Sequence, residues 1–123
     1  MSWGSVLHRL GDLPGAKADL ERALAINEAA YGSDHAHVRE CLRYLGAVRR
    51  DMGDMARALV DLERAAHIAE RVYGPDHRYV AEDLERLADV LDDSGEQVEA
   101  ERCLQRAHAI REALSAASTD AGQ

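Results

Sequence analysis

Shifted against itself by 42 positions, the chain meets its own residues in register too often for coincidence. Tyr31-Gly32-Ser33-Asp34-His35 falls on Tyr73-Gly74-Pro75-Asp76-His77, and Leu10-Gly11-Asp12 on Met52-Gly53-Asp54 and Ser94-Gly95-Glu96. Leu20, Leu62 and Leu104 share a column, as do Ala16, Ala58 and Ala100, Ala23, Ala65 and Ala107, and Ile26, Ile68 and Ile110. A period of this length marks an array of stacked supersecondary units. Within one copy Leu42, Leu45, Val48 and Met52 form one stripe at helical spacing, and Leu59, Leu62, Ala65, Ala66 and Ala69 another. Each copy therefore reads as a helical hairpin. Composition agrees with an all-α fold, since Ala occurs 22 times, Pro twice and Phe not at all.

The breaks between helices have a mechanism. In Gly53-Asp54 and Gly11-Asp12 the glycine takes positive φ without strain at a helix end, and the aspartate accepts from the free N–H groups of the next helix. Pro14 suits a first turn, where the missing donor costs nothing. Between copies, Tyr-Gly-Ser-Asp-His and Tyr-Gly-Pro-Asp-His end one helix and are expected to cap the next through Asp34 and Asp76. Helices are expected near 2–10, 13–30, 35–52, 55–72, 77–93 and 96–114. Small residues at Gly4, Gly46 and Ala88, and in the Ala58 and Ala65 columns, leave room for a facing helix beside Leu45 and Leu62.

This pattern resembles the tetratricopeptide repeat: Leu42-x-x-Leu45-Gly46, Gly53-Asp54, Ala58, Leu62, Ala65 and Ile68 occupy that family's signature positions in order. The 42-residue length and the Tyr-Gly-Pro-Asp-His linker are similar to the kinesin-light-chain subtype, which is common in bacterial signalling proteins that also carry a nucleotide-binding switch domain. The resemblance implies a right-handed superhelical α-solenoid of about 2.5–3 repeats, placed here at about 1–31, 35–73 and 77–114. It implies a scaffold for protein–protein interaction without catalysis or cofactor. The excess of Arg over Lys, with the Ala content, suggests a GC-rich bacterial genome.

A repeat array needs ends that tolerate water. At the C-terminal end Leu59 and Val60 give way to Glu101 and Arg102, Met55 to Gln97, and the Tyr-Gly-x-Asp-His linker does not recur after Leu114. A capping helix is expected there, followed by a disordered tail over 115–123. At the N-terminal end Trp3-Gly4 aligns with Leu45-Gly46, so the chain opens part-way into a first helix. Trp3, Val6 and Leu7 then lie on an incompletely covered edge. Three readings follow: further repeats upstream in a longer protein, self-association into a homodimer through this half-repeat, or a locally tucked Trp3.

Candidates for chemistry are sparse. His35-Ala36-His37 looks like a metal pair, but i and i+2 side chains on a helix diverge by roughly 200°, and His35 recurs as His77 in the linker. Cys41 and Cys103 lack CxxC spacing and read as reduced apolar residues. No phosphate loop or nucleophile elbow occurs, so no catalytic, cofactor or metal residue is assigned. The net charge of −8 opposes binding to nucleic acid or anionic lipid. No run approaches a membrane helix or a signal peptide, and a soluble, cytoplasmic chain is expected.

The charge is unevenly placed. Residues 76–101 hold ten acidic side chains against Arg78 and Arg86, whereas the rest of the chain is balanced at thirteen of each sign. In the family the first helix of each hairpin lines a concave groove. Carried over, that assigns to the groove Arg43, Tyr44, Ala47, Arg50 and Asp51, then Glu82, Glu85, Arg86, Asp89, Asp92 and Asp93. The acidic run admits three readings: a solvated face, a seat for a basic or bipolar peptide, or a divalent-ion site at Glu85, Asp89 and Asp92 or Asp93. The Asn residues by which kinesin light chains hold a peptide backbone are absent from Leu42-Arg43-Tyr44-Leu45 and Leu84-Glu85-Arg86-Leu87. The carboxylate clamp of chaperone-binding repeats is absent too, because Lys17 is the only lysine and lies on a second helix.

Overall fold

A computed structural model describes residues 12–121, as five helices: α1 (Leu13–Tyr31), α2 (Ala36–Asp51), α3 (Met55–Tyr73), α4 (Arg78–Asp93) and α5 (Gln97–Ala121). The expected helix over 2–10, with Trp3, Val6 and Leu7, lies outside the described residues. Among the described residues the most extensive packing joins helices adjacent in sequence, which is the contact pattern of a solenoid.

The glycine breaks behave as the sequence requires. Gly32, Gly53, Gly74 and Gly95 all have φ between 84° and 103°, a left-handed conformation that a side chain resists. They fall 21 residues apart and end α1 to α4 in turn. Asp12 and Asp54 then accept from the N–H groups of Gly15 at 3.1 Å and Arg57 at 3.3 Å.

The linker caps differ from expectation. His35 and His77, not Asp34 and Asp76, are the N-cap residues, and their Nδ1 atoms accept from His37 N–H at 3.1 Å and Tyr79 N–H at 3.0 Å. Both histidines are extended, which carries the ring back over the first turn. Each ring also stacks on the preceding tyrosine, Tyr31 at 4.4 Å and Tyr73 at 4.8 Å between centroids. Asp34 instead pairs with Arg71 at 3.1 Å. The same backbone corrects the expected divergence of His35 and His37: because His35 precedes the helix, their rings lie 4.9 Å apart.

The core repeats as the columns do. Ala16 and Leu20 of α1 pack with Leu45 and Val48 of α2, and one period later Ala58 and Leu62 of α3 pack with Leu87 and Val90 of α4. Val38, Leu42, Ala65 and Ile68 fill the middle hairpin. Burying such a leucine or valine stabilises by about 1.5–3 kcal/mol. Gly46 is needed for close approach, since a Cβ there would lie 2.8 Å from Leu62 Cγ.

Ionic rungs repeat with the same period. Glu28 of α1 accepts from Arg64 of α3, and Glu70 of α3 pairs with Arg106 of α5 at 3.1 Å. Arg49 of α2 joins Asp61 of α3 at 2.7 Å to Glu21 of α1 at 2.9 Å.

At the C-terminal end α5 runs to Ala121 rather than stopping near 114, so the segment expected to be a disordered tail is helical as far as it is described. The run Ala113-Leu114-Ser115-Ala116-Ala117 is exposed and contains no helix breaker, so its helix propensity favours continuing the helix past Leu114. Val60 does not support the capping argument drawn from Arg102, because it is itself exposed.

Candidate functional site

The groove residues assigned from the sequence sit on α2 and α4, the first helices of the second and third hairpins. These two helices are bridged by long arginine arms. Arg39, which sequence reasoning missed, grips Asp83 with two hydrogen bonds, Nε to Oδ2 at 2.7 Å and Nη2 to Oδ1 at 2.9 Å. Its Nη2 also donates to the Tyr79 carbonyl at 3.3 Å, and its guanidinium lies 4.7 Å from the Tyr79 ring centroid. Asp83 is fully buried, and removal from water pushes its carboxyl above the usual aspartate range despite Arg39, Arg43 and Arg86 nearby.

Arg43 and Arg86 complete this node without being satisfied by it. Arg43 Nε is 3.7 Å from Asp83 Oδ1, too long for a hydrogen bond, and has no acceptor. Arg86 Nη1 is likewise buried without one. Burial, together with the neighbouring Arg86 and Arg39 charges, lowers the Arg43 pKa. Arg39 and Arg43 thus share one buried carboxylate, with the Arg86 charge close enough to be felt there. Tyr44 lies beside Arg43, with the guanidinium 5.9 Å from its ring centroid, and packs partly against Leu20, Leu45 and Val48. Ala47 is half-buried on the same helix.

The acidic residues expected to line the groove are partly spoken for. Glu85 receives two hydrogen bonds from Arg111 of α5, at 2.7 and 2.9 Å. Asp93 accepts from Arg50 at 2.7 Å, and Asp89 lies 3.9 Å from the same arginine. Glu85, Asp89, Asp92 and Asp93 therefore do not converge on one ion, and no metal-binding cluster of three or more such ligands occurs among the described residues. Glu82 is half-buried and Asp92 exposed.

Arg111 holds the Glu85 carboxyl below the usual glutamate range. A lowered folded pKa means the pair stabilises the fold above the unfolded value of about 4.5 and loses that contribution as pH falls through the folded value. Glu85 is 40% exposed, so solvent screening keeps the effect to about 0.5 kcal/mol. Glu85→Gln is expected to lower stability by that amount near neutrality, with the difference from the parent disappearing once the pH is low enough to protonate Glu85 in the fold. Urea denaturation across pH 3–7 measures it.

Burial disfavours the thiolate form of both cysteines. Cys41 is buried and accepts a hydrogen bond from Asn27 Nδ2 at 3.2 Å, and burial raises both its pKa and that of half-buried Cys103. No helix among the described residues is long and apolar enough to cross a membrane.

The signal that finds the missed pair is a charge in an apolar column. Arg39 stands where the next repeat has Ala81, and Asp83 where the previous one has Cys41. Two such departures on facing helices are complementary in sign.

Comparison with known proteins agrees with this architecture. BtubC (BKLC) from P. vanneervenii superposes with a TM-score of 0.85 over 91% of this chain and 45% of its own, at 24% identity. A kinesin light chain with nearly identical TPR-like repeats from Podosopora anserina gives 0.81 over 89% of this chain and 52% of its own, at 21% identity, as does a singly substituted form of it. The chain spans about half the length of these structures, and at such identities the likeness concerns the fold alone. No curated protein matches the sequence. The tetratricopeptide-repeat family model matches residues 1–65 and 40–113. With helical hairpins in a 42-residue period and a solenoid fold shared with kinesin-light-chain-like arrays, the chain belongs to the tetratricopeptide-repeat family.

Proposed function

We propose that the chain is a non-catalytic adaptor module of a larger cytoplasmic signalling protein, and that its groove holds a bipolar segment of a partner protein. Repeats of this family generally mediate protein–protein interaction. The observation that carries the finer reading is that, of the three buried donors without an acceptor among the described residues, two, on Arg43 and Arg86, lie at the Asp83 node, the third being Arg49 Nε beside Asp61. A buried N–H without an acceptor is costly, and a partner supplying one relieves that cost on binding. A carboxylate suits the place best, because three guanidinium charges are felt there at a single buried acid. Farther along α4, Asp89 and exposed Asp92 suit a basic residue of the same segment. The partner is therefore bipolar rather than simply basic.

Selection of random dodecapeptides on the immobilised chain tests this. The enriched peptides are expected to carry an acidic and a basic residue apart from each other. Arg43→Ala or Arg86→Ala should weaken them about tenfold, the scale of one charge-assisted hydrogen bond. Asp89→Asn with Asp92→Asn should flatten the salt dependence of binding. Peptides that bind the arginine variants as tightly as the parent, with unchanged circular dichroism, would refute the assignment.

A further inference from the structure

The third hairpin leaves open a surface that the first two bury. Leu45 and Val48 of α2 cover Ala16 and Leu20, and Leu87 and Val90 of α4 cover Ala58 and Leu62. In both cases the covering element is a helix presenting Leu-x-x-Val. Ala100 and Leu104 of α5 continue the column; α4 packs along α5 and α3 reaches it through Ala69 and Glu70, yet among the described residues Leu104 is left half exposed. Leu104 is 48% exposed, against 2% for Leu62 and 4% for Leu20. Between α4 and α5 this leaves an open recess of about 360 Å³, lined by Ala88, Ala100 and Leu104 together with Asp89, Asp92 and Glu101.

The three acids are what distinguish this face from its predecessor. They occupy the places of Ala47, Arg50 and Leu59 one repeat earlier. The face thus keeps Ala100 and Leu104 of the column that accepts Leu-x-x-Val, exchanges its flanking Met55 and Leu59 for Gln97 and Glu101, and surrounds the leucine with negative charge. Asp92 and Glu101 form no ion pair among the described residues, and Asp89 reaches only Arg50, at 3.9 Å. A solvated cap would be polar throughout; here a leucine stands exposed within the acidic ring.

The geometry points to this recess as a docking site for a basic amphipathic helix of a partner protein, one that presents an aliphatic pair at i and i+3 flanked by Arg or Lys. Apolar contact seats the helix, and charge selects it from others of the same shape. This surface shares Asp89 and Asp92 with the acidic end of the groove but does not include the arginine node, and Leu104 and Glu101 belong to it alone. The chain contains a matched pair of probes: Leu45-x-x-Val48 in α2 has Arg43, Arg49 and Arg50 beside it, whereas Leu87-x-x-Val90 in α4 has Glu85, Asp89 and Asp92.

Two labelled, helix-stapled peptides of sequence 36–51 and 78–93, stapled away from the aliphatic pair, are titrated into the full chain. The basic peptide is expected to bind at least about tenfold more tightly than the acidic one at low salt. Leu104→Ser, at an exposed position, should leave circular dichroism unchanged and weaken the basic peptide about tenfold. Arg43→Ala and Arg86→Ala should leave that affinity unchanged, which keeps failure here separate from failure of the groove reading. Equal affinity of the two peptides, or indifference to Leu104→Ser, would overturn the proposal. A dimer in light scattering that Leu104→Ser dissociates would overturn it in favour of a second copy of this chain.

Discussion

Asp83→Ala is expected to destabilise the fold by about 3–5 kcal/mol, the range for removing one partner of a buried ion pair. Asp83 is fully buried and takes both hydrogen bonds of the Arg39 fork. Its loss leaves Arg39, itself almost fully buried, without a counter-charge and close to Arg43 and Arg86. The pair is not thereby a large net stabiliser. Burial raises the Asp83 pKa, so the folded chain holds that proton more tightly than the unfolded one, and the site's contribution to stability falls as pH rises above about 3.8. Arg39→Met with Asp83→Leu is therefore expected to recover most of the loss. Urea denaturation of the parent, the single and the double variant decides the matter. A single variant within about 1 kcal/mol of the parent would show that water reaches the node.

Leu62→Ala is expected to cost about 2–5 kcal/mol, whereas Leu104→Ala in the same column should cost under about 1 kcal/mol. Leu62 fits against Gly46 and lies beneath Leu87 and Val90, so its removal leaves a cavity that rigid helices close only in part. Leu104 is already half in water. Thermal and urea unfolding of both variants test the contrast. Equal losses would mean that column identity, rather than covering by the next helix, sets the energetics.

The sequence shows the hairpins because the signals that make them are local. Gly53 and Asp54 stop one helix and start the next without reference to anything distant, and the apolar columns follow from a 3.6-residue turn repeated every 42 residues. The linker caps are less legible: Asp34 and His35 are both competent acceptors, and only the extended backbone at His35 lets its ring reach His37 N–H. The end of α5 is hard to place for another reason, since loss of the linker motif after Leu114 removes a stop signal without supplying a different one.

The groove is legible as a set of residues but not as a charge pattern. Glu85 and Asp93 read as open acids until their partners, Arg111 and Arg50, are brought to them from 26 and 43 residues away. Such pairings depend on how hairpins stack, which periodicity alone does not specify. Arg39 and Asp83 are hidden differently. Each breaks an apolar column, yet neither has a local partner that would mark it as buried.

Packing dominated by sequence neighbours has a kinetic meaning. Each hairpin closes a short loop before it meets anything distant, so the entropy of bringing partners together stays small and folding is expected to be fast for a chain of this length. A nucleus can form in any hairpin and spread outward. The middle of the array, where Val38, Leu42, Ala65 and Ile68 are all buried, is the natural place for it. Opening should start at the margins: Ile26 of α1 is 58% exposed where Ile68 is fully buried, so amide protons of α1 should exchange long before those of α3.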